Sequence, residues 1–483
     1  MEVLHLEEKM KELRESFRIR RTRSAAWRRS QLEGLSRLLR EKEGEIFRVL
    51  KEDLGKAPEE AYRDEIGLLR KSLNLSMASL EGWMASQKVS VPVIAFPTSA
   101  EVIPEPLGVV LIISSWNFPF GLSLDPLIGA IAAGNAVVLK PSELAPASAS
   151  FLATYIPKYM DHKAVKVIPG GLPVAQNLLE QKWDKIFFTG SARVGRIVMS
   201  AAAKHLTPVT LELGGKCPAI LDHLSSSWDK EVAIKRIVSG KWGLCSGQAC
   251  VGIDYLLVEE KQVSSVIDQI KIRLKKFYGD KPLETNSMAR IVNKSQFDRL
   301  KNLLEDSRVA ASIIHGGALD EENLFIEPTI LLDPPLDSEV MTEEIFGPLF
   351  PIITLKKIED SIDFINAKPR PLAMYVFTKD ESLKRKVVAE TSSGSVTFND
   401  AIIQFALDTL PFGGVGESGF GKYHGKFSFD AFSHGKSVLR RSFLTELNFG
   451  YPPWNAYKLR FLRAAYNFDY ISLFLLLLGL KRS

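Results

Sequence analysis

An α/β fold built on parallel sheets is predicted by two features of this 483-residue chain. The first is a series of short apolar segments bounded by glycine, proline or asparagine, as buried strands require. The second is that helical patterns separate these segments, an alternation typical of a parallel sheet covered by helices. With 46% hydrophobic and 25% charged residues, the chain is typical of a globular protein with two or three domains.

The charge balance and the cysteines exclude several classes of protein. A net charge of +5 from 62 basic and 57 acidic side chains gives no reason to expect a nucleic-acid partner. Three cysteines (Cys217, Cys245 and Cys250) cannot all pair, and no spacing matches a metal-ligand set, so we expect no metal. An acidic start without a signal-peptide pattern predicts a reducing, intracellular location.

The N-terminal region predicts helices and then an arm. Leucines at helical spacing, among them Leu32, Leu35 and Leu39, predict helices as far as about Lys56. Four glutamates precede a run of arginines between positions 18 and 29, so a solvated helix face or turn is favoured over an anionic-lipid or nucleic-acid patch. Prolines interrupt an alternating segment at 88–103, which predicts an edge strand or an arm reaching a partner subunit.

The next segments predict a cofactor domain. Apolar runs end near Ile113, Lys140, Ile168 and Phe188, with helices between them. The last run leads through Gly190-Ser191 into a helix, with glycines spaced as Gly190-x4-Gly195. Free N–H groups at a helix N-terminus bind phosphate, so we predict a Rossmann-like domain.

A second alternation follows and predicts a second α/β lobe, with strands near 255–258, 350–355 and 373–377 and a helix near 261–277. Two glycine motifs lie beyond it. The first matches Gly-x-Gly-x-x-Gly at 414–419, but no hydrophobic strand leads into it. The second matches the start of a P-loop pattern at 416–422, but Tyr423 follows it where a P-loop needs serine or threonine. We expect both to be flexible loop.

Glu212 and Cys250 are the candidates for chemistry. A thiol attacks a carbonyl carbon as its thiolate, and burial among leucines would raise the pKa of Glu212 towards that of a general base. A single glutamate is more often on a solvated face and a single cysteine more often a core residue. Their spacing alone does not decide between these interpretations.

Glu-Leu-Gly-Gly-Lys at 212–216 and Gly-Gln-x-Cys at 247–250 together resemble the catalytic core of the aldehyde dehydrogenase superfamily. Arg21-Thr22-Arg23-Ser24 ahead of Trp27, and the Tyr423–Phe429 segment, resemble class 3 (family 3), with the plant-type members the most similar. The resemblance covers roughly residues 10 to 440. It implies a cofactor-binding domain (1–85 and 101–208), a catalytic domain (209–408), an oligomerisation arm (86–100 and 409–442) and a homodimer, followed by a tail (443–483).

The resemblance also implies residue roles. Cys250 would form a thiohemiacetal and then a thioester, Glu212 would activate water for deacylation, and the Asn117 amide would stabilise the oxyanion. Asparagine before Phe-Pro is otherwise a common turn former. The positions implied for the cofactor are Trp116, Lys140, Glu143, Gly190, Ser191, Val194, Gly195, Glu344 and Phe346.

NAD is expected to be preferred and NADP tolerated. The carboxylate of Glu143 suits the 2′-hydroxyl of NAD, whereas the small side chain of Val194 leaves room for a 2′-phosphate. The implied activity is oxidation of medium- or long-chain aliphatic or aromatic aldehydes to acids. A cofactor-independent thiol esterase and an inactive relative kept as a binding or structural protein are the alternatives.

The tail carries an apolar segment, 470–480, followed by Lys481 and Arg482. As a helix it would extend about 16 Å, too short for a bilayer core of about 30 Å. Packing on the protein surface and lying in a membrane interface both remain open. We expect a cytoplasmic protein with at most a peripheral fraction at membranes such as the endoplasmic reticulum.

Overall fold

The computed structural model describes residues 2–92, 95, 98–443, 446, 448–478 and 480. The chain divides into two compact units, one of Met1–Trp83 with Pro106–Ser433 and one of Met84–Glu105 with His434–Ser483. The strands are β1 Gln87–Val89, β2 Thr98–Pro106, β3 Val109–Ile113, β4 Ala136–Lys140, β5 Val165–Val167, β6 Lys185–Gly190, β7 Val209–Leu213, β8 Pro218–Leu221, β9 Tyr255–Glu259, β10 Ile313–His315, β11 Leu319–Asp320, β12 Phe325–Ile326, β13 Thr329–Leu332, β14 Leu349–Leu355, β15 Ala373–Phe377, β16 Ser395–Phe398, β17 Gly419–Phe420 and β18 Ser433–Arg441.

The α-helices are α1 Glu2–Arg18, α2 Ala25–Glu41, α3 Glu43–Leu54, α4 Pro58–Ala61, α5 Gly67–Met84, α6 Gly121–Ala133, α7 Pro146–Tyr159, α8 Leu172–Leu179, α9 Ala192–Ala203, α10 Ser227–Trp242, α11 Glu260–Tyr278, α12 Lys294–Glu305, α13 Ser307–Ala310, α14 Glu339–Thr342, α15 Asp360–Asn366, α16 Glu381–Glu390, α17 Gly425–Ala431, α18 Ala456–Tyr466 and α19 Tyr470–Leu477. A π-helical segment, Tyr62–Ile66, joins α4 to α5.

The first sheet of the larger unit has the order β17-β7-β6-β3-β4-β5 and is parallel except for β17. Every residue of β3 and β4 is buried, as expected for strands covered on both faces. The predicted strand–helix alternation is therefore confirmed. Chain order reverses direction between β3 and β6, and ligands of such sheets bind beyond the carboxyl ends of the strands at this point.

The second sheet of the same unit has the order β10-β13-β14-β9-β8-β15-β16. Its strands pair in parallel except β10, which is antiparallel to β13. Its core includes Ile220, Leu257 and Met374, and α11 covers it where the sequence predicts a helix. The second α/β lobe is therefore confirmed. The domain boundaries expected from the resemblance stay predictions.

The arginine run divides into exposed and buried members. Arg18 and Arg29 are exposed and bind Glu15 and Glu81. Arg28, by contrast, is only 4% exposed, and its guanidinium donates to the carbonyl of Ala132 at 2.9 Å. The expectation of a solvated face is wrong for Arg28 because the last carbonyls of α6 have no partners within the helix and a buried cation satisfies one of them.

The glycine-rich segment at 414–419 is more structured than expected. Gly416–Ser418 forms a 3₁₀ turn, and β17 pairs antiparallel with β7 so that Gly419 lies opposite Glu212. Gly419 has φ +121°, and a Cβ there would lie 1.9 Å from the carbonyl oxygen of Leu211. The expectation of a flexible loop is wrong here because glycine allows the backbone to approach β7 this closely.

In the smaller unit, β1, β2 and β18 form a three-stranded sheet with β2 in the centre. Part of the predicted arm, including Val93 and Pro97, lies outside the described residues. In the tail, α18 and α19 pack through a cluster that contains Phe461, Leu473 and Leu476. No helix in the part of the chain that the structure describes is long and apolar enough to span a membrane.

Candidate active site

One cavity of about 920 Å³ opens beyond the carboxyl ends of the first-sheet strands. It contains eight of the residues named from the sequence. These are Trp116, Asn117, Gly190, Ser191, Glu212, Cys250, Glu344 and Phe346. Because they come from five separate stretches of the chain, the fold brings the predicted chemical groups to one place.

Cys250 follows the short 3₁₀ turn Cys245–Gly247. Burial raises the pKa of its thiol to about 12, and the carboxyl groups of Glu344 and Glu212 add to this rise. The backbone N–H groups of Cys250 and Val251 act in the opposite direction by hydrogen bonding to the sulfur. The thiol therefore holds its proton until a base and an electrophile are both present.

The other two cysteines are buried away from the cavity lining. The Cys217 thiol donates to the Cys250 carbonyl at 3.2 Å, and burial raises its pKa well above the ordinary value. Burial also raises the pKa of Cys245 to about 12. Of these three thiols, the structure places Cys250 alone in the cavity lining.

Asn117 lies in the loop after β3 and is 2% exposed. Its Nδ2 donates to the carbonyl of Gln248 at 2.9 Å, two residues before Cys250. An amide nitrogen carries two N–H groups, so this bond leaves a second donor on a side chain that lines the same cavity as the thiol. The arrangement suits stabilisation of a carbonyl oxygen under attack.

Glu212 lies on β7, is 3% exposed, and lines the cavity. Neither carboxylate oxygen has a hydrogen-bond partner among the described residues. Burial therefore raises the pKa of Glu212 well above its ordinary value. A buried, unpaired carboxyl whose pKa is raised and which lies beside a thiol is a candidate for proton transfer.

The second carboxyl of the cavity, that of Glu344, lies against the backbone of Gly214. A Cβ at Gly214 would be 2.2 Å from either oxygen of this carboxyl, so a larger residue there would displace the Glu344 carboxyl from its present position. Burial, with a contribution from Asp254, raises the pKa of Glu344 to about 8. Its Oε1 lacks a hydrogen-bond partner among the described residues, as expected of an acceptor for a ligand hydroxyl.

Lys216 and Arg299 fix the segment that carries Glu344. The ammonium of Lys216 pairs with Asp254 and donates to the carbonyls of Val340 and Glu343 at 2.8 and 3.0 Å. The guanidinium of Arg299 donates to the carbonyl of Ile345 at 2.6 Å. Sequence reasoning did not identify either cation, although Lys216 belongs to the quoted Glu-Leu-Gly-Gly-Lys motif.

Two aromatic rings border the same cavity. Phe346 meets Trp116 edge to face, with ring centroids 5.3 Å apart. Phe346 has φ +50°, an uncommon conformation for a bulky residue. The turn after Glu344 thus presents its ring towards the loop that carries Asn117.

The β6–α9 turn suits a phosphate group. Ser191 caps α9, and its hydroxyl accepts from the N–H of Val194 at 3.4 Å. Arg193 and Arg196, which the sequence reasoning passed over, line the cavity beside Gly190. A helix N-terminus and two guanidinium groups favour an anion, and together with the unpartnered Oε1 of Glu344 they fit a dinucleotide.

Four predicted cofactor residues lie outside the cavity lining. Val194 packs against the core under the first sheet, and Gly195 is buried within α9. At the carboxyl end of β4, Lys140 and Glu143 form an ion pair of 2.5 Å, with the lysine side chain 4% and the glutamate side chain 43% exposed. Lys140 and Glu143 therefore lie one strand away from the point between β3 and β6 where the chain order reverses.

Among the described residues, no group of three or more His, Cys, Asp or Glu side chains is placed to hold a metal ion. Glu212 and Glu344, the acidic side chains with raised pKa values in the cavity, do not form such a group.

Comparison with known proteins identifies the family. The sequence model of the aldehyde dehydrogenase family matches residues 4–438. The chain is 54% identical over 477 residues to aldehyde dehydrogenase family 3 member F1 of Arabidopsis thaliana, with 99% of each chain covered. It is 45% identical to the dimeric NADP-preferring aldehyde dehydrogenase of Rattus norvegicus, with 90% of this chain and 95% of the relative covered.

A solved structure agrees. The substrate-bound AldH of Staphylococcus aureus matches with a TM-score of 0.92 at 40% identity, covering 95% of this chain and 99% of that chain. The resemblance inferred from the motifs is confirmed. The chain therefore belongs to family 3 of the aldehyde dehydrogenases and is an oxidoreductase that converts aldehydes to carboxylic acids with NAD(P).

Proposed function

We propose that Cys250 is the nucleophile of this oxidation, that Asn117 is the oxyanion donor and that Glu212 is the base. The observation that supports these roles is the meeting of all three side chains in one cavity. The hydrogen bond from the Asn117 amide to the chain two residues before Cys250 supports them further.

In the first step the sulfur of Cys250 bonds to the aldehyde carbon and the carbonyl oxygen becomes negative. The second N–H of Asn117 and the backbone N–H of Cys250 stabilise this oxygen. One such donor contributes about 3 kcal/mol to the transition state. Because burial raises the pKa of the thiol to about 12, its proton must pass to a base as the bond forms.

A nicotinamide bound in the cavity would supply the acceptor for the hydride that leaves the aldehyde carbon. Glu344 would hold its ribose through the unpartnered Oε1, and Phe346 and Trp116 would border its ring. The Gly190–Ser191 turn would hold the phosphates. Cys250 then carries a thioester.

Glu212 completes the cycle by removing a proton from water as the water attacks the thioester carbon. The acid leaves, and the sulfur departs as a thiolate that takes up a proton. The buried position of Glu212 in the cavity supports this role, since burial raises its pKa and thereby its affinity for the proton taken from water.

We also propose that NAD is preferred and NADP tolerated. The Lys140–Glu143 pair supports a ribose with a free 2′-hydroxyl, since the carboxylate repels a 2′-phosphate. Relatives differ in this respect, for the rat protein is named NADP-preferring and a solved indole-3-acetaldehyde dehydrogenase, 25% identical to this chain, was determined with NAD⁺.

The proposed substrates are medium- and long-chain aliphatic or aromatic aldehydes, the range expected from family 3 membership. We propose a homodimer joined through the arm of 86–100 and 409–442, flanked by the cofactor domain (1–85 and 101–208) and the catalytic domain (209–408). The name of the rat relative, which is called dimeric, supports the dimer. Light scattering tests it, because a monomeric mass contradicts it.

We propose a cytoplasmic enzyme with a minor, peripheral fraction at the endoplasmic reticulum. Exposed apolar side chains on α19, including Ile471 at 77% and Phe474 at 63%, support contact with a lipid interface. A relative from Arabidopsis thaliana, 50% identical, is named chloroplastic.

The test of the activity is the near-ultraviolet absorbance of NADH, with purified protein, NAD and a panel of aldehydes of increasing chain length. NADH formation that requires Cys250 supports the proposal. Ester hydrolysis without any NADH formation contradicts it and favours the thiol esterase.

A further inference from the structure

We propose that Lys56 and Glu65 are positioning residues that fix the Asn117 donor relative to Cys250, an inference that rests on the proposed function of the cavity. Neither residue lines the cavity, and both belong to the helical segment before the first sheet. They act through the loop that carries Asn117.

Lys56 is fully buried and directed at this loop. Its Nζ donates to Glu65 Oε1 at 2.7 Å and to the carbonyl of Asn117 at 2.8 Å. The same ammonium lies 4.2 Å from the centroid of the Phe118 ring. Three contacts thus converge on one buried cation, and two of them hold the loop at Asn117 and at the next residue.

Glu65 holds the other end of the loop. Its Oε2 accepts from the backbone N–H groups of Phe120 and Gly121 at 2.8 and 3.1 Å, where α6 begins. A carboxylate is favoured at a helix N-terminus because it satisfies N–H groups without partners inside the helix. The Lys56–Glu65 pair, with both side chains 0% exposed, therefore fixes the loop at both ends.

The same segment also reaches the nucleophile loop. Glu60, which precedes Glu65 by about one and a half turns, accepts from the backbone N–H of Cys245 at 2.7 Å. The Cys245–Gly247 turn then leads to Gln248, whose carbonyl accepts the Asn117 amide. One stretch of chain, 56–65, thus contacts the loops that carry the donor and the thiol.

Stability alone is a poor explanation for this pair. Removing two charges from water costs about as much as their attraction returns, so buried ion pairs are often replaceable by apolar groups without loss of stability. Fixing a reacting group is a different matter, because displacement by about 1 Å lowers a rate by about a hundredfold. The geometry therefore assigns the pair to positioning.

The test is a double-mutant cycle with Asn117. In Lys56→Met/Glu65→Gln, the glutamine still accepts from Phe120 and Gly121, no charge stays buried alone, and the bond to the Asn117 carbonyl is lost. We expect kcat/KM for an aldehyde to fall about tenfold or more in the wild-type background. In the Asn117→Ala background the same change should alter it less than about twofold, because residues that act through one another are not additive.

Two further readouts separate positioning from general damage. The Kd for NAD should stay unchanged, since the pair contacts no predicted cofactor residue, and the loss should fall on kcat rather than KM. Arg28→Met is the matched control, for it removes a buried cation from the opposite end of α6. We expect it to lower Tm and to leave kcat/KM within about twofold.

Each outcome decides the matter. If the double variant lowers kcat/KM by the same factor in the Asn117→Ala background as in wild type, the positioning role is overturned. An unchanged kcat in the wild-type background also overturns it. If Lys56→Met/Glu65→Gln does not fold, the isosteric Glu65→Gln alone is entered into the same cycle, with a smaller fall expected and the same non-additivity required. A wild-type enzyme that forms no NADH from any aldehyde contradicts the proposed function instead, so the two failures are distinct.

Discussion

Burial sets the protonation of the three acidic groups around the proposed nucleophile. The pKa of Cys250 is raised to about 12 and that of Glu344 to about 8, while that of Glu212 lies well above its ordinary value, and burial is the largest cause in each case. Each group would repel the charge of the others if all were ionised. Burial and mutual repulsion therefore both favour the protonated forms of these three groups.

Two cysteines of the same loop provide a matched pair for testing the nucleophile. Cys250 and Cys245 both have a pKa raised to about 12 by burial, yet only Cys250 lines the cavity. We expect Cys250→Ala to lower kcat/KM about 10⁴-fold or more, and Cys245→Ala to keep it within about threefold. Steady-state NADH formation measures both, and equal losses would contradict the assignment of Cys250.

The role of Glu212 predicts an intermediate that accumulates. In Glu212→Gln the side chain keeps its size and loses its basicity, so deacylation should become slow while thioester formation continues. We expect a burst of about one NADH per active site, followed by a steady rate lower by about a hundredfold. Mass spectrometry should find the acyl group on Cys250, and a full steady-state rate would sink the role given to Glu212.

The pH dependence of stability offers an independent check on Glu212. Its pKa is raised in the folded state by burial, so its contribution to stability is present below the unfolded pKa and is lost as pH rises through the folded pKa. Glu212→Gln should therefore raise Tm relative to wild type more at about pH 8 than at about pH 5. A Tm difference that does not change with pH would show that the carboxyl is not desolvated.

The Lys140–Glu143 pair predicts how cofactor choice can be shifted. Glu143→Ala removes the carboxylate and leaves the buried Lys140 ammonium to attract a 2′-phosphate. The ratio of kcat/KM for NAD to that for NADP should fall about tenfold, which corresponds to about 1.4 kcal/mol. The control is Glu81→Ala, which breaks an exposed pair with Arg29. A wild-type enzyme that prefers NADP would refute the role of Glu143.

At the scale of elements, the short strand β17 holds the strand that carries the proposed base. Gly419 pairs with Glu212, and a Cβ at Gly419 would lie 1.9 Å from the Leu211 carbonyl oxygen. We expect Gly419→Ala to cost about 2–4 kcal/mol of unfolding free energy, because it adds both a clash and an unfavourable φ. Urea denaturation measures the cost, and a parallel loss of kcat would follow from displacement of Glu212.

The matched control for Gly419→Ala is a glycine inside a helix. Gly82 lies in α5, and no heavy atom stands within 4 Å of a Cβ built on it. Gly82→Ala should therefore stabilise the protein by about 0.5–1 kcal/mol. If both substitutions have the same sign, the close approach of β17 to β7 is not the cause of the effect at Gly419.

At the scale of the whole molecule, the tail carries its own small apolar core and an apolar outer surface. Phe449 and Phe461 stack with ring centroids 3.7 Å apart, and Leu473 and Leu476 are buried. The eight residues of α19 extend only about 12 Å, against about 30 Å for a bilayer core. Such a hairpin is suited to lying on a surface.

This geometry predicts weak, reversible membrane contact. In cell fractionation, we expect most of the protein to stay in the supernatant and any membrane fraction to be released by carbonate. Ile471→Glu/Phe474→Glu should abolish that fraction, because it places charge on the outer surface of α19 while leaving the buried Leu473 and Leu476 in place. The tail would instead be identified as an anchor if the full-length protein resisted carbonate extraction and a truncation ending at Asn467 were soluble.

The control for the tail places a negative charge on an exposed apolar side chain elsewhere in the protein. Leu206→Glu alters a side chain that is 91% exposed on the larger unit, and it should leave the distribution between fractions unchanged. If Leu206→Glu also removes the membrane fraction, net charge rather than the α19 surface governs the association.

The sequence by itself determined the order of the strands along the chain and the class of fold, and it supplied the candidates for the reactive groups. Buried parallel strands such as β3 and β4 can be predicted from the sequence because both of their faces pack against other elements, so their residues form a continuous apolar run. Cys250, Glu212 and Asn117 could be named because their motifs are local. The same locality explains the correct identification of the β6–α9 turn, where strand, glycine and helix follow one another directly.

Tertiary structure alone decided what depends on distant partners. No sequence motif marks Lys56, Glu65 or Arg28 as buried, and only the fold shows each of them buried against carbonyls or N–H groups more than fifty residues away. Gly419 was expected to lie in a flexible loop because its partner strand, β7, is about two hundred residues earlier in the chain. The spacing of apolar residues in a sequence predicts the helix or strand that contains them. Whether a charged side chain is buried and hydrogen-bonded depends on residues that lie far away in the sequence.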